Sequence, residues 1–157
     1  MAGNARYAAG MASRPNADAA RRAEIGSASR PFAVILACAD SRVAPEIIFD
    51  QGLGDLYVIR VAGNVVDDAV LASIEYAVLH LGVSLVMALG HERCGAVAAA
   101  LDALAGRGNP ADRETLMGAL TALIAPAVRA IPPGAADRLD AAVNLNAANA
   151  AAEIFAG

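Results

Sequence analysis

The chain contains no lysine and no tryptophan, and it has only two cysteines, two histidines, three tyrosines and three phenylalanines. Each scarcity excludes something. With no basic surplus (the formal net charge is −4) and no aromatic residues interleaved with basic ones, the sequence carries no electrostatic footprint for nucleic acid. No stretch approaches the roughly 20 uninterrupted apolar residues of a membrane span. The N-terminal "MAGNARYAAGMASRPNADAARR" lacks the apolar core of a secretory signal, so the expected setting is the cytoplasm. In that reducing compartment Cys38 and Cys94 are read as a metal pair, a reactive thiol or plain core rather than as a disulfide. All twelve cationic side chains are arginine, which together with the abundant alanine is read as coding bias.

What is present suits one globular domain over residues 1–157, 57% hydrophobic and 18% charged. Asn16 is placed as the cap of a short helix ending near Glu24, and "PFAVILAC" reads as a strand covered on both faces. "DLYVIRVAG" is a second strand. Asp67 or Asp68 then caps a helix whose apolar stripe is Val70, Leu71, Ile74, Ala77, Val78 and Leu81, and Gly82 stops it. "VSLVMALG" is the third strand, and a helix from Gly95 to about Ala105 follows it. "GRGNPAD" is a loop, helix continues to Ala130 with a break near Pro126, and after "PPG" a last helix runs through Ile154. Strands interleaved with helices give an α/β fold: a largely parallel central sheet of about three to four strands, flanked by helices.

In open parallel sheets, function gathers beyond the carboxyl ends of the strands. The first strand ends in "CADSR", with Cys38, Asp40 and Arg42 at alternate positions, and the third ends in "GHERC", with His91 and Cys94 across a tight turn that Gly90 and Gly95 are expected to permit. Two thiolates and an imidazole form a donor set suited to zinc, with a fourth position left for water or a carboxylate. One H-x-x-C alone is weak evidence. Two separated motifs, each at a strand end and together using both cysteines, are much stronger.

"CADSRVAPEIIFDQGLGDLYVIRVAGNVVDD", "SIEYAVLHLGV" and "LGHERCGAV", with Cys38 and His91 separated by 53 positions, resemble the β-class carbonic anhydrases, whose pattern is C-x-D-x-R followed by H-x-x-C. The resemblance covers roughly residues 3 to 105. It implies a zinc enzyme that reversibly hydrates carbon dioxide to bicarbonate and a proton, working as a homodimer or a dimer-based oligomer. By motif match Cys38, His91 and Cys94 are the zinc ligands, Asp40 accepts a hydrogen bond from the attacking zinc hydroxide, and Arg42 holds Asp40 ionised through a forked ion pair. In some members the aspartate is instead a fourth zinc ligand, which closes the site.

Around this set, Gly63 and Asn64 in "VAGN" are read either as pocket wall and substrate contact or as a plain turn. His80 is a helix-end histidine facing the dipole rather than a proton shuttle, and Glu92 and Arg93 are solvated or interface residues. Three departures stand out. Ser29 in "SASRP" occupies the place where many relatives carry a glutamine that contacts substrate across the dimer. Ala39 and Ala44 replace commoner serine and proline. Relatives also begin with further helix and continue into another strand, so the domain is expected to be incomplete at its C-terminal edge. Two alternatives accompany the leading reading: a hydrolase of another small linear molecule such as carbon disulfide, and a zinc-stabilised, catalytically inactive binding or assembly module.

Overall fold

A computed structural model describes residues 2–156 of the chain. The centre is β1 (Ala33–Cys38), whose six residues "AVILAC" are all buried. A strand covered on both faces has no reason to alternate polar and apolar residues, which is why this run is continuous. It pairs in parallel with β2 (Leu56–Val61), from Ala33 opposite Leu56 to Cys38 opposite Val61, and with β3 (Val86–Leu89), from Val34 opposite Val86 to Ala37 opposite Leu89. The sheet order is β2-β1-β3.

Helix α4 (Asp68–Leu81) joins β2 to β3. Asp67 caps it by accepting the Val70 N–H at 2.8 Å, and Gly82 ends it in the left-handed conformation at φ 70°. Val70, Ile74 and Ala77 form its buried stripe, facing Val34 and Leu36 together with Ala150 of α7 (Arg138–Ala156). Leu71 and Leu81 are half-buried, and Val78 lies outside the stripe, on the exposed side. On the other face of the sheet Ala33, Ile35 and Ala37 meet Phe49, Leu56, Met87 and Leu89. A third apolar cluster closes the carboxyl end, where α5 (Gly95–Leu104), α6 (Leu116–Arg129) and α7 bring Val97, Ala100, Ile124, Val128, Ala142 and Val143 around Cys38 and Cys94.

Local details depart from the sequence reading. Helix α2 (Ala19–Glu24) is capped by Asp18, which accepts the Arg21 N–H at 2.8 Å. Asn16 lies outside the helix at φ 53°, with its amide donating to both carboxylate oxygens of Asp55. A longer-range carboxylate partner thus displaces it from the cap. Pro126 does not break α6: the helix is continuous, and burial of Ile124, Ala125, Ala127 and Val128 around the proline offsets the roughly 3 kcal/mol that it costs inside a helix. Two short helices were not anticipated, α1 (Ala2–Ala8) and α3 (Pro45–Ile48). They dock on each other through Gly3, which lies too close to the Phe49 carbonyl to admit a Cβ, and through the Asn4 amide, which donates to the Ile48 carbonyl at 2.9 Å.

Candidate metal centre

The register of the sheet builds the site. Because Ala37 pairs with Leu89, the segments leaving β1 and β3 emerge side by side. Cys38 is the last residue of β1, and after β3 the chain turns through Gly90–Arg93 so that Cys94 immediately precedes α5. The left-handed residue in that turn is Arg93, at φ 53°, not Gly95, which is simply the first residue of α5 and has open space where a Cβ would lie. Gly90 contributes by close packing: a Cβ there would come within 3.2 Å of the Ala147 Cβ on α7.

The outcome is convergence of three donors. Cys38 Sγ and Cys94 Sγ are 3.9 Å apart, and one donor atom from each of Cys38, His91 and Cys94 lies within 4.8 Å of the others. The sulfur separation is far too long for a disulfide, whereas two thiolates at about 2.3 Å from a tetrahedral ion sit about 3.8 Å apart. His91 Nδ1 is 3.0 Å from the Glu92 carbonyl. A carbonyl only accepts, so Nδ1 carries the proton and Nε2 presents its lone pair. That Nε2 is buried and has no hydrogen-bond partner. A buried, unpartnered acceptor beside two buried thiols is the arrangement that a thiophilic cation satisfies, so the residues fit a metal of the zinc type.

Asp40 and Arg42 stand over this cluster. The Arg42 guanidinium grips Asp40 with Nε at 2.9 Å from Oδ1 and Nη2 at 2.7 Å from Oδ2, while the Arg42 backbone N–H donates to Oδ1 at 3.0 Å. These bonds, the side-chain ones foremost, hold the Asp40 carboxyl well below the usual carboxylate range, and Asp40 in turn pushes Arg42 up. Asp40 Oδ2 is 4.0 Å from His91 Nε2, so the carboxylate faces the convergence point while it remains engaged by Arg42. Arg42 Nη2 also reaches the Arg93 carbonyl at 3.2 Å, tying the two ligand-bearing turns together. Burial pushes the Cys94 thiol up, a cost that a bound cation reverses by favouring the thiolate.

The remaining sequence candidates scatter. Gly63 and Asn64 lie in the tight turn Ala62–Asn64 after β2, where the Gly63 N–H donates to Cys38 Sγ at 3.3 Å. Asn64 is buried with an unpartnered amide nitrogen. His80 packs against Tyr76 at the end of α4, with ring centroids 5.0 Å apart and the ring planes tilted by 39°. Glu92 and Arg93 have exposed side chains and serve the site through their carbonyls. Ser29 is exposed.

Sequence reasoning missed two residues. Arg60, in β2, donates from Nε to the Cys38 carbonyl at 3.1 Å and from Nη2 to the Asp40 carbonyl at 2.5 Å. Its signal was a lone cation inside "LYVIRV". Asn146, buried on α7, donates to the Gly63 carbonyl at 2.7 Å. Its signal was a polar residue in helical register with the apolar Ala142, Val143 and Ala150.

A three-stranded parallel sheet with a Cys-His-Cys cluster able to hold a metal ion beyond its carboxyl edge defines an α/β protein with a candidate metal site. Comparison with known proteins narrows that class. A family model described as carbonic anhydrase matches residues 33–155, and the chain belongs to that family, in its β class. The carbonic anhydrase of Mycolicibacterium smegmatis is 58% identical over 102 residues, which are 65% of this chain and 50% of that protein. Carbonic anhydrase 2 of Mycobacterium tuberculosis is 57% identical over 102 residues, 65% of this chain and 49% of that protein. The chain thus spans about half the length of the curated relatives it matches. Among solved structures, a Coccomyxa beta-carbonic anhydrase in complex with acetazolamide shares the fold with a TM-score of 0.76, 24% identity, and coverage of 98% of this chain and 69% of that one. No helix among the described residues is long and apolar enough to cross a membrane.

Proposed function

We propose that the chain catalyses the zinc-dependent, reversible hydration of carbon dioxide to bicarbonate and a proton. The observation that carries this reading is the orphaned His91 Nε2, which shares one buried point with two thiols while an ionised carboxylate, Asp40, faces it. Cys38, His91 and Cys94 would hold the metal. When bound, zinc supplies a Lewis acid that gives water nucleophilic character near neutral pH. Asp40 accepts a hydrogen bond from the reacting water and so directs its lone pair at the carbon of carbon dioxide. Arg42 keeps Asp40 unprotonated and, by engaging both carboxylate oxygens, would hold it back from ligating the metal itself. The apolar packing around the cysteines, from Val97, Ile124 and Val128, limits water at the site and strengthens these electrostatic contacts. Two thiolates donate more charge to a metal than neutral imidazoles do, which weakens its acidity and makes the Asp40 contact more valuable.

The working unit we propose is a homodimer. Support comes from Met11, Phe32 and Ile47, each more than half exposed in the single chain. Residues Gly63 and Asn64 are proposed as one wall of the substrate pocket, and the cytoplasm as its location.

Stopped-flow carbon dioxide hydration on zinc-quantified protein tests the reading, with Asp40→Asn and Cys94→Ser alongside. One zinc per chain with hydration well above buffer supports it. Stoichiometric zinc with no hydration sinks it in favour of a metal-stabilised binding module, and hydrolysis of carbon disulfide without carbon dioxide hydration shifts it to a hydrolase of that molecule.

A further inference from the structure

The two sulfurs of the centre are held differently. Cys94 immediately precedes α5 and closes no side-chain cap on that helix. The donor to Cys38 Sγ is the N–H of Gly63, which lies 25 positions away on the turn after β2.

Gly63 is constrained from every side. Its φ is 68°, a Cβ there would come within 2.9 Å of Ile124 Cδ1 and 3.2 Å of the Ala96 Cβ, and its carbonyl is taken by Asn146. Asn146 is 5% exposed and sits in the middle of α7, 83 positions from Gly63. A buried amide on an otherwise apolar face is costly unless it is paired, and the 2.7 Å bond to Gly63 provides the pairing.

We propose that Asn146 is a positioning residue for the metal centre: by holding the Gly63 carbonyl it fixes the Gly63 N–H against Cys38 Sγ, and so limits how much charge that thiolate donates to the metal. This rests on the metal-site reading above. An N–H directed at a thiolate draws electron density from sulfur, so the bound cation stays a stronger Lewis acid. The arrangement makes α7, which contributes no ligand, a determinant of the metal's electronic character.

Two measurements on the full chain test it. In wild-type protein loaded with a spin-active cadmium isotope, a through-bond coupling is expected between cadmium and the Gly63 amide proton, carried across the N–H···Sγ contact. In cobalt-substituted Asn146→Leu, which keeps the volume and removes the donor, the thiolate-to-cobalt absorption is expected to move to lower energy, because Cys38 then donates more charge. Val70→Ala, a core change in α4 remote from the site, should lower stability while moving neither signal. If Asn146→Leu does not fold, Asn146→Ser breaks the same bond by shortening the side chain and is expected to shift the absorption in the same direction. Cadmium that binds without coupling to Gly63 overturns the proposal and leaves the metal reading intact, as does an unmoved cobalt band in whichever folded Asn146 variant is obtained. Wild type that takes up neither cadmium nor zinc fails the metal reading itself, and the proposal with it.

Discussion

Arg42 meets Asp40 as a fork, with separate nitrogens on the two carboxylate oxygens at 2.9 and 2.7 Å, and the same guanidinium reaches across to the turn that carries His91 and Cys94. One side chain therefore sets both the charge of Asp40 and its direction. A lysine at this position keeps the charge and loses the fork. Arg42→Lys is expected to retain one zinc per chain while hydration falls by about 10-fold or more, and Asp40→Asn to fall by about 100-fold. Equal rates in Arg42→Lys and wild type, measured by stopped flow at matched zinc content, would show that the fork is dispensable.

The metal should matter to folding as well as to chemistry. Cys38, Cys94 and His91 Nε2 are buried, and removing the cation leaves Nε2 without a partner. A ligand that binds only the native state stabilises it by about 4 kcal/mol when present at 1,000 times its Kd. Chelation is thus expected to lower the Tm measured by calorimetry, with recovery on adding back zinc. Cys94→Ser should melt near the metal-free value and respond little to zinc.

Much of this was legible in the sequence, and the exceptions share a cause. The strands, a cap at one of the two adjacent aspartates, the Gly82 stop and the paired motifs are local patterns, and the structure has them close to where the spacing placed them, with Asp67 as the cap. Asn16 failed as a cap because Asp55, 39 positions away, claims its amide. Pro126 failed as a breaker because the helix around it is buried against its neighbours. Arg60 and Asn146 were invisible for the same reason: their partners are backbone carbonyls from other elements, and a carbonyl carries no sequence signature. The Cys38, His91 and Cys94 cluster could be read because it is built from side chains of rare type. The braces that aim it could not.

Arg60 lends itself to a direct check. Its two bonds run to the carbonyls on either side of Ala39, in the segment that leads from Cys38 to Asp40. Arg60→Met keeps most of the aliphatic stem and removes both donors, leaving two partly buried carbonyls to find water. Loss of about 1–3 kcal/mol in urea unfolding is expected, along with reduced hydration at full zinc occupancy as Asp40 loosens. Unchanged stability and activity would mean that solvent replaces both bonds without loss.

The N-terminal segment offers a prediction in pH. Asp50 is buried, and it accepts the N–H and hydroxyl of Ser13, the Arg6 guanidinium at 2.6 Å and the Arg14 N–H at 2.7 Å. The backbone N–H of Ser13 leads these contacts in holding the carboxyl well below the usual range, and burial opposes them only in part. A carboxylate whose pKa is lower folded than unfolded adds stability that is fully present above the unfolded value of about 4 and is lost as pH falls toward the folded value. Asp50→Asn cannot titrate and presents an amide where the four donors expect an acceptor. The variant should melt well below wild type at neutral pH, and the gap should narrow as pH drops below about 4, because wild type is then giving up the same interaction. A gap that stays constant across a melting series from neutral to acid pH would show that charge on Asp50 is not what ties residues 6–14 to the end of α3.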